Sequence, residues 1–139
     1  MKIIKFIKYW IPFIIWASII FWFSSLPTVE TTDIFWQDFL LKKSAHFIEY
    51  LMFALLLFRA LKNNSGFSTD KSLKLTFFLS LIYALSDELH QSFVPGREPR
   101  IRDVAIDTLG AASVLFVIAN LTERLPKKIV YLASKIELI

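Results

Sequence analysis

The sequence has no cysteine, only three glycines, five prolines and two histidines in 139 residues. Without cysteine there is no disulfide frame, no thiolate nucleophile, no thiol redox chemistry and no sulfur-ligated metal. So little glycine and proline excludes a collagen-like chain, and the apolar content excludes a disordered one. Charge is also thin, at 20% of residues against about 25% in a soluble domain. What abounds is apolar surface: 55% of residues are hydrophobic, 16% are aromatic, and the mean hydropathy is +0.54. A chain this short has little interior in which to hide that excess, so the expected solvent on most sides is lipid.

The apolar runs predict an all-α, polytopic membrane protein forming one domain over 1–139. Four transmembrane helices are expected near 9–27, 44–61, 73–93 and 103–121, with an interfacial amphipathic helix in the tail, 124–139. The first run follows Lys2, Lys5 and Lys8 but is bulky, with Trp10, Trp16 and Trp22, and has no small-x-small cleavage site. It therefore reads as a span and not as a cleaved signal peptide. The stretch 28–43 mixes Glu30, Asp33 and Asp38 with Phe35, Trp36 and Phe39, a composition suited to the headgroup zone. Asn63, Asn64, Ser65 and Gly66 mark a loop. Val94-Pro95-Gly96 breaks the third helix, because Pro95 disfavours helical geometry at Val94 and Gly96 accepts a tight turn. The tail sets Lys127, Lys128 and Lys135 against Ile129, Val130 and Leu132, the pattern of a helix lying on a membrane surface.

Four spans divide the charges unevenly. The side holding both termini and the 62–74 loop has eleven basic residues and three acidic ones, Asp70, Glu123 and Glu137. The other side has five basic residues, Lys42, Lys43, Arg97, Arg100 and Arg102, and nine acidic ones. Both termini are therefore expected in the cytoplasm. The net charge of +4 is an orientation signal on this reading, and no nucleic-acid partner is needed to explain it.

This topology gathers the unusual polar residues at the outward face. His46 and Glu49 open the second span, Asp87, Glu88, His90 and Gln91 close the third, and Arg97, Arg100, Arg102, Asp103 and Asp107 open the fourth. An ionisable group at a helix centre costs about 2.5–3.5 kcal/mol on insertion scales, and less toward the ends. His46, Glu49, Tyr50 and Phe53 share a face at i, i+3, i+4 and i+7, as do Tyr83, Asp87, His90 and Gln91, and Asp103, Asp107 and Gly110. Three polar faces are thus expected to converge on one cavity. Arginine forks suit phosphate or carboxylate, and Lys43, Tyr50 and Glu88 complete the expected ligand-binding set. His46, Glu49, Asp87, His90 and Asp103 are the candidate catalytic groups. His46, Glu49, Asp87 and His90 are candidate ligands for a divalent cation, the one cofactor the residues suggest. The plainer readings are a salt-bridge network that fixes helix packing, and arginines that snorkel to headgroups.

The two blocks KKSAHFIEY (42–50) and SDELHQSFVPGREPRIRDVAIDTLG (86–110) resemble the VanZ-like family of small bacterial membrane proteins. The resemblance rests on Lys43, His46, Glu49 and Tyr50, then Asp87, Glu88, Gln91, Pro95, Gly96, Arg97, Asp103 and Gly110. This chain departs from the family in having Asp107 where Asn is usual, which adds a potential negative charge. The resemblance implies a bacterial cytoplasmic-membrane protein connected with sensitivity to teicoplanin, a glycopeptide that acts on lipid-linked cell-wall precursor. A looser similarity links Arg97, Asp103 and Asp107 to the Arg-x5-His-x3-Asp spacing of lipid phosphatases, with Asp103 in place of the nucleophilic histidine. Three functions stay open: binding or handling an anionic lipid-linked envelope intermediate at the outer leaflet, an enzyme acting on lipid-linked phosphate or pyrophosphate, and a non-catalytic accessory subunit. A membrane lipid or lipid-linked phosphate is the expected partner, and protein partners are not indicated.

Overall fold

The computed structural model describes residues 2–27, 35–97, 99–121, 126–135 and 137. Every regular element among them is helical: α1 (Lys2–Ser24), α2 (Phe35–Asn64), α3 (Thr69–Gln91), α4 (Ile101–Phe116), which runs on into a π-helical turn (Val117–Leu121), and α5 (Lys127–Lys135). The expected segments coincide in position with α1 to α4, and two stretches, Ile3–Ser24 and Trp36–Asn64, are long and apolar enough to cross a membrane. Positions 28–34 of the expected headgroup stretch, including Glu30 and Asp33, lie outside the described residues. So do Glu98 and positions 122–125, 136, 138 and 139 in and before the tail.

α2 starts earlier than the apolar pattern suggests. No glycine or proline falls between 35 and 64, so nothing stops the helix at the charged residues, and it runs 30 residues. That is roughly 45 Å at 1.5 Å per residue, longer than a hydrocarbon core of about 30 Å. Its first turns therefore project beyond the apolar part and carry Asp38, Phe39, Lys42 and Lys43 on the same rod as His46.

The elements end where the sequence supplies stop signals. Pro27 follows the last turn of α1 and keeps Leu26 from continuing it. Ser68 caps α3 by accepting from the Lys71 amide at 3.3 Å. Beyond Gln91 the chain turns through Gly96, whose φ of +79° is left-handed.

α3 is built inside out. Phe78, Leu79, Ile82, Leu85 and Leu89 face outward, whereas Ser72, Thr76, Ser80, Asp87, Glu88 and Gln91 are buried. A helix bathed in water shows the reverse pattern. Its small buried residues, Ser72, Thr76 and Ser80, let α2 and α4 approach closely.

α2 is central, touching α1, α3 and α4. Tyr50, Phe53, Leu57 and Phe58 fill the interior, and the Phe53 ring stands 4.6 Å from that of Tyr83 and 5.0 Å from that of Phe13. Two hydrogen bonds tie α1 in: Trp16 Nε1 donates to the Glu49 carbonyl at 2.9 Å, and the Tyr83 hydroxyl donates to the Ala17 carbonyl at 2.7 Å. α2 and α4 meet most intimately at Gly110, where a Cβ would clash with the Phe47 carbonyl oxygen. Glycine alone fits there. Because α2 and α4 run in the same direction, this contact sets the register of the residues before it, Asp107 against His46 and Asp103 against Lys43.

Candidate functional site

That register brings the polar faces together at the end of the bundle where α2 and α4 begin. Lys43 Nζ lies 2.6 Å from Asp103 Oδ2, and His46 Nδ1 lies 3.5 Å from Asp107 Oδ1 and 4.0 Å from Glu49 Oε2. From α3, Gln91 Nε2 donates to Asp87 Oδ2 at 3.0 Å. Glu88 accepts from the backbone amide of Arg100, and so satisfies a donor at the start of α4 that has no partner within the helix. Asp87, Glu88, Gln91 and Asp107 are all buried.

Beside this group lies a cavity of ≈ 690 Å³. Its charged lining is Lys42, Lys43, Arg97, Arg100 and Arg102 together with Asp38, Glu49 and Asp103, with His46 and Gln91 on the wall toward the buried acids. Ile20, Phe23, Leu26 and Pro27 from the end of α1 form an apolar side. The volume suits a headgroup-sized ligand, since pockets for small molecules run about 300–1,000 Å³.

The arginines divide the work differently from the sequence expectation. Arg97 spends its guanidinium on the protein: Nε donates to the Leu26 carbonyl at 3.1 Å, Nη2 to the Phe23 carbonyl at 3.1 Å, and Nη1 to Gln91 Oε1 at 3.2 Å. These bonds cap the carbonyl end of α1, where a cation is also favoured by the helix dipole, and clasp α1 to α3. Arg102 instead stacks over Phe39, 4.7 Å from the ring centroid, with Asp103 Oδ1 3.7 Å from its Nε. Half of its side chain stays exposed. The residues of the phosphatase-like spacing each have a separate partner here: Arg97 holds α1, Asp103 holds Lys43 and Asp107 faces His46.

Of the candidate metal ligands, His46 and Asp87 fall together with Asp107, each offering an atom within 4.8 Å of the others. Glu49 and His90 stand outside that set. The His90 ring packs 4.4 Å from Phe21, and its Nε2 lies 3.0 Å from Ser25 Oγ, so it faces the end of α1. Tyr50 is fully buried with its hydroxyl unbonded, beneath the site and not in the cavity lining.

Lys42, Asp38 and Phe39 were not among the residues expected at the site, yet all three line the cavity. Positions 38, 39, 42, 43 and 46 share one helical face, a signal that was legible once α2 is allowed to start at 35. The acceptors Phe23 and Leu26 are main-chain carbonyls and carry no side-chain signal at all.

The family model described as VanZ/LLP1 matches residues 5–122, a range that contains every residue of the site. No curated protein and no solved structure matches the chain.

Proposed function

The chain belongs to the VanZ/LLP1 family, and from that premise we propose that it binds an anionic, lipid-linked envelope intermediate at the outer leaflet of a bacterial cytoplasmic membrane. In this reading α1 to α4 all span the bilayer and both termini are cytoplasmic. The inside-out pattern of α3 and the uneven distribution of basic residues support that topology.

The observation that carries the proposal is the cavity itself. It combines an apolar side, fit for the first carbons of a lipid chain, with a rim bearing Lys42, Lys43 and Arg102. A headgroup carrying phosphate would take bonds from Arg102 and exchange for the carboxylate partners of Lys42 and Lys43, which lie 2.6 Å from Asp38 and Asp103 respectively. Arg97 acts indirectly, by fixing the end of α1 against which the lipid chain would rest. The physiological consequence is altered sensitivity to glycopeptides such as teicoplanin.

The test is binding of undecaprenyl pyrophosphate to the full chain in nanodiscs, compared with a neutral prenol of the same length. Native protein should prefer the pyrophosphate. A Lys42→Gln/Arg102→Gln variant should bind it at least about tenfold more weakly, since each charge-assisted hydrogen bond contributes about 1.5–3 kcal/mol. Equal binding of the neutral prenol would remove the proposal.

A further inference from the structure

We infer that His46, Asp87 and Asp107 form a site for one divalent transition-metal ion, of the Zn²⁺ or Mn²⁺ class, behind the wall of the cavity. The three residues come from α2, α3 and α4, and their ligand atoms lie within 4.8 Å of one another. Grouped acids alone would mean little. Here, however, the ligand atoms have no hydrogen bond outside the cluster, His46 Nδ1 and Asp107 Oδ1 facing each other at 3.5 Å.

Asp107 is 2% exposed and Asp87 is 4% exposed, yet Oδ1 of each carboxylate has no hydrogen bond, and neither does Nδ1 of His46. Other buried atoms also lack partners, the hydroxyls of Ser72, Thr76 and Ser80 among them, but here three ligand-type atoms fall in one cluster, and buried carboxylate oxygens without partners point to something that completes them. The neighbouring cations do not supply it. Lys43 is held by Asp103, Lys42 by Asp38, and Arg97 by Gln91 and the carbonyls of α1. Binding of one divalent ion would be matched by the charge of these two carboxylates.

Donor chemistry narrows the ion. Ca²⁺ and Mg²⁺ take oxygen ligands, whereas an imidazole in the set favours a transition metal, and the absence of thiolate disfavours Cu(I). One pair of atoms already has the spacing an ion needs, and the rest lie within 4.8 Å. Ligands about 2.0–2.2 Å from an ion sit roughly 3.0–3.6 Å from one another in tetrahedral or octahedral order, and His46 Nδ1 stands 3.5 Å from Asp107 Oδ1. Gln91 completes the arrangement by donating to Asp87 Oδ2, which orients the carboxylate and leaves Oδ1 for the ion. His46 and Gln91 also line the cavity, so the cluster adjoins it. The site stands on these donors whether or not the cavity takes a lipid.

Full-length protein, stripped with chelator in detergent and titrated with Co²⁺, should bind one ion per chain, show a visible ligand-field band, and lose that band to added Zn²⁺. Asp107→Asn and His46→Gln should each weaken binding more than about tenfold, and Gln91→Ala about tenfold as the orienting partner. His90→Gln should change nothing, since its ring sits against Phe21 and Ser25. Native protein that binds no stoichiometric Co²⁺ overturns the site without reference to any variant. His46→Gln protein that binds as well as native overturns it equally.

Discussion

The two ends of the bundle use the same ingredients to opposite effect. At the end where α5 returns, the Glu137 carboxylate takes bonds from Lys8 Nζ at 2.8 Å and Tyr9 hydroxyl at 2.8 Å, with Arg59 Nη2 3.8 Å away. Its own carbonyl accepts from Asn63 at 2.7 Å. Both carboxylate oxygens are engaged, and the group is open to solvent. At the other end Asp87, Asp103 and Asp107 each keep an oxygen with no hydrogen bond, and that oxygen is buried. Leaving a buried acceptor unsatisfied costs about 1–3 kcal/mol. A saturated, exposed carboxylate is a tether; unsaturated, buried ones cost stability.

The largest expected effect at the site end comes from stranding a charge. Lys43→Met takes from Asp103 the nearer of its two cations, leaving Arg102 Nε at 3.7 Å, and should lower stability in detergent by roughly 2–3 kcal/mol, below the range for a fully broken buried pair. Lys43→Met combined with Asp103→Leu should recover most of the loss, which thermal melts of the three proteins would show. Next comes register. Gly110→Ala forces a Cβ onto the Phe47 carbonyl and should lose about 1–3 kcal/mol as an overpacking defect. Chemical cross-linking between α1 and α5 should be unchanged in that variant, because the Glu137 end lies far along the helices from it.

The smallest effect belongs to the tether. The Lys8 ammonium beside Glu137, then the Tyr9 hydroxyl, hold its carboxyl below the usual range for glutamate. Its contribution is therefore present above the unfolded pKa, which is about 4.3, and disappears as pH falls through the lowered folded value. Glu137→Gln should leave the melting temperature unchanged within error, yet loosen α5 at neutral pH. Native protein should reproduce that loosening only in acid. Fluorescence of a probe attached to α5 would follow both.

What the sequence made legible follows the physics of each feature. Helical periodicity exposed the faces of Asp103, Asp107 and Gly110 and of His46, Glu49 and Tyr50, because side-chain direction on a helix depends on local spacing alone. The turn at Val94-Pro95-Gly96 was equally local. The pairing of Lys43 with Asp103 was not, since it depends on how closely α4 packs on α2, which a single glycine decides. The engagement of Arg97 escaped for a related reason, its acceptors being carbonyls at the end of a helix distant in sequence. The tether at Glu137 joins residues 128 and 129 positions apart, and nothing in the composition of the tail announces it.

The double variant Asp87→Asn/Asp107→Asn tests the central claim most directly, because it keeps the shape of both side chains while exchanging one carboxylate oxygen of each for an amide nitrogen that cannot ligate a metal. If this end of the bundle is a binding site, the variant should melt at or above the native temperature in detergent while losing stoichiometric Co²⁺ and the glycopeptide phenotype in cells. A lower melting temperature with metal binding and phenotype intact would contradict the account, and would make the cluster a packing network.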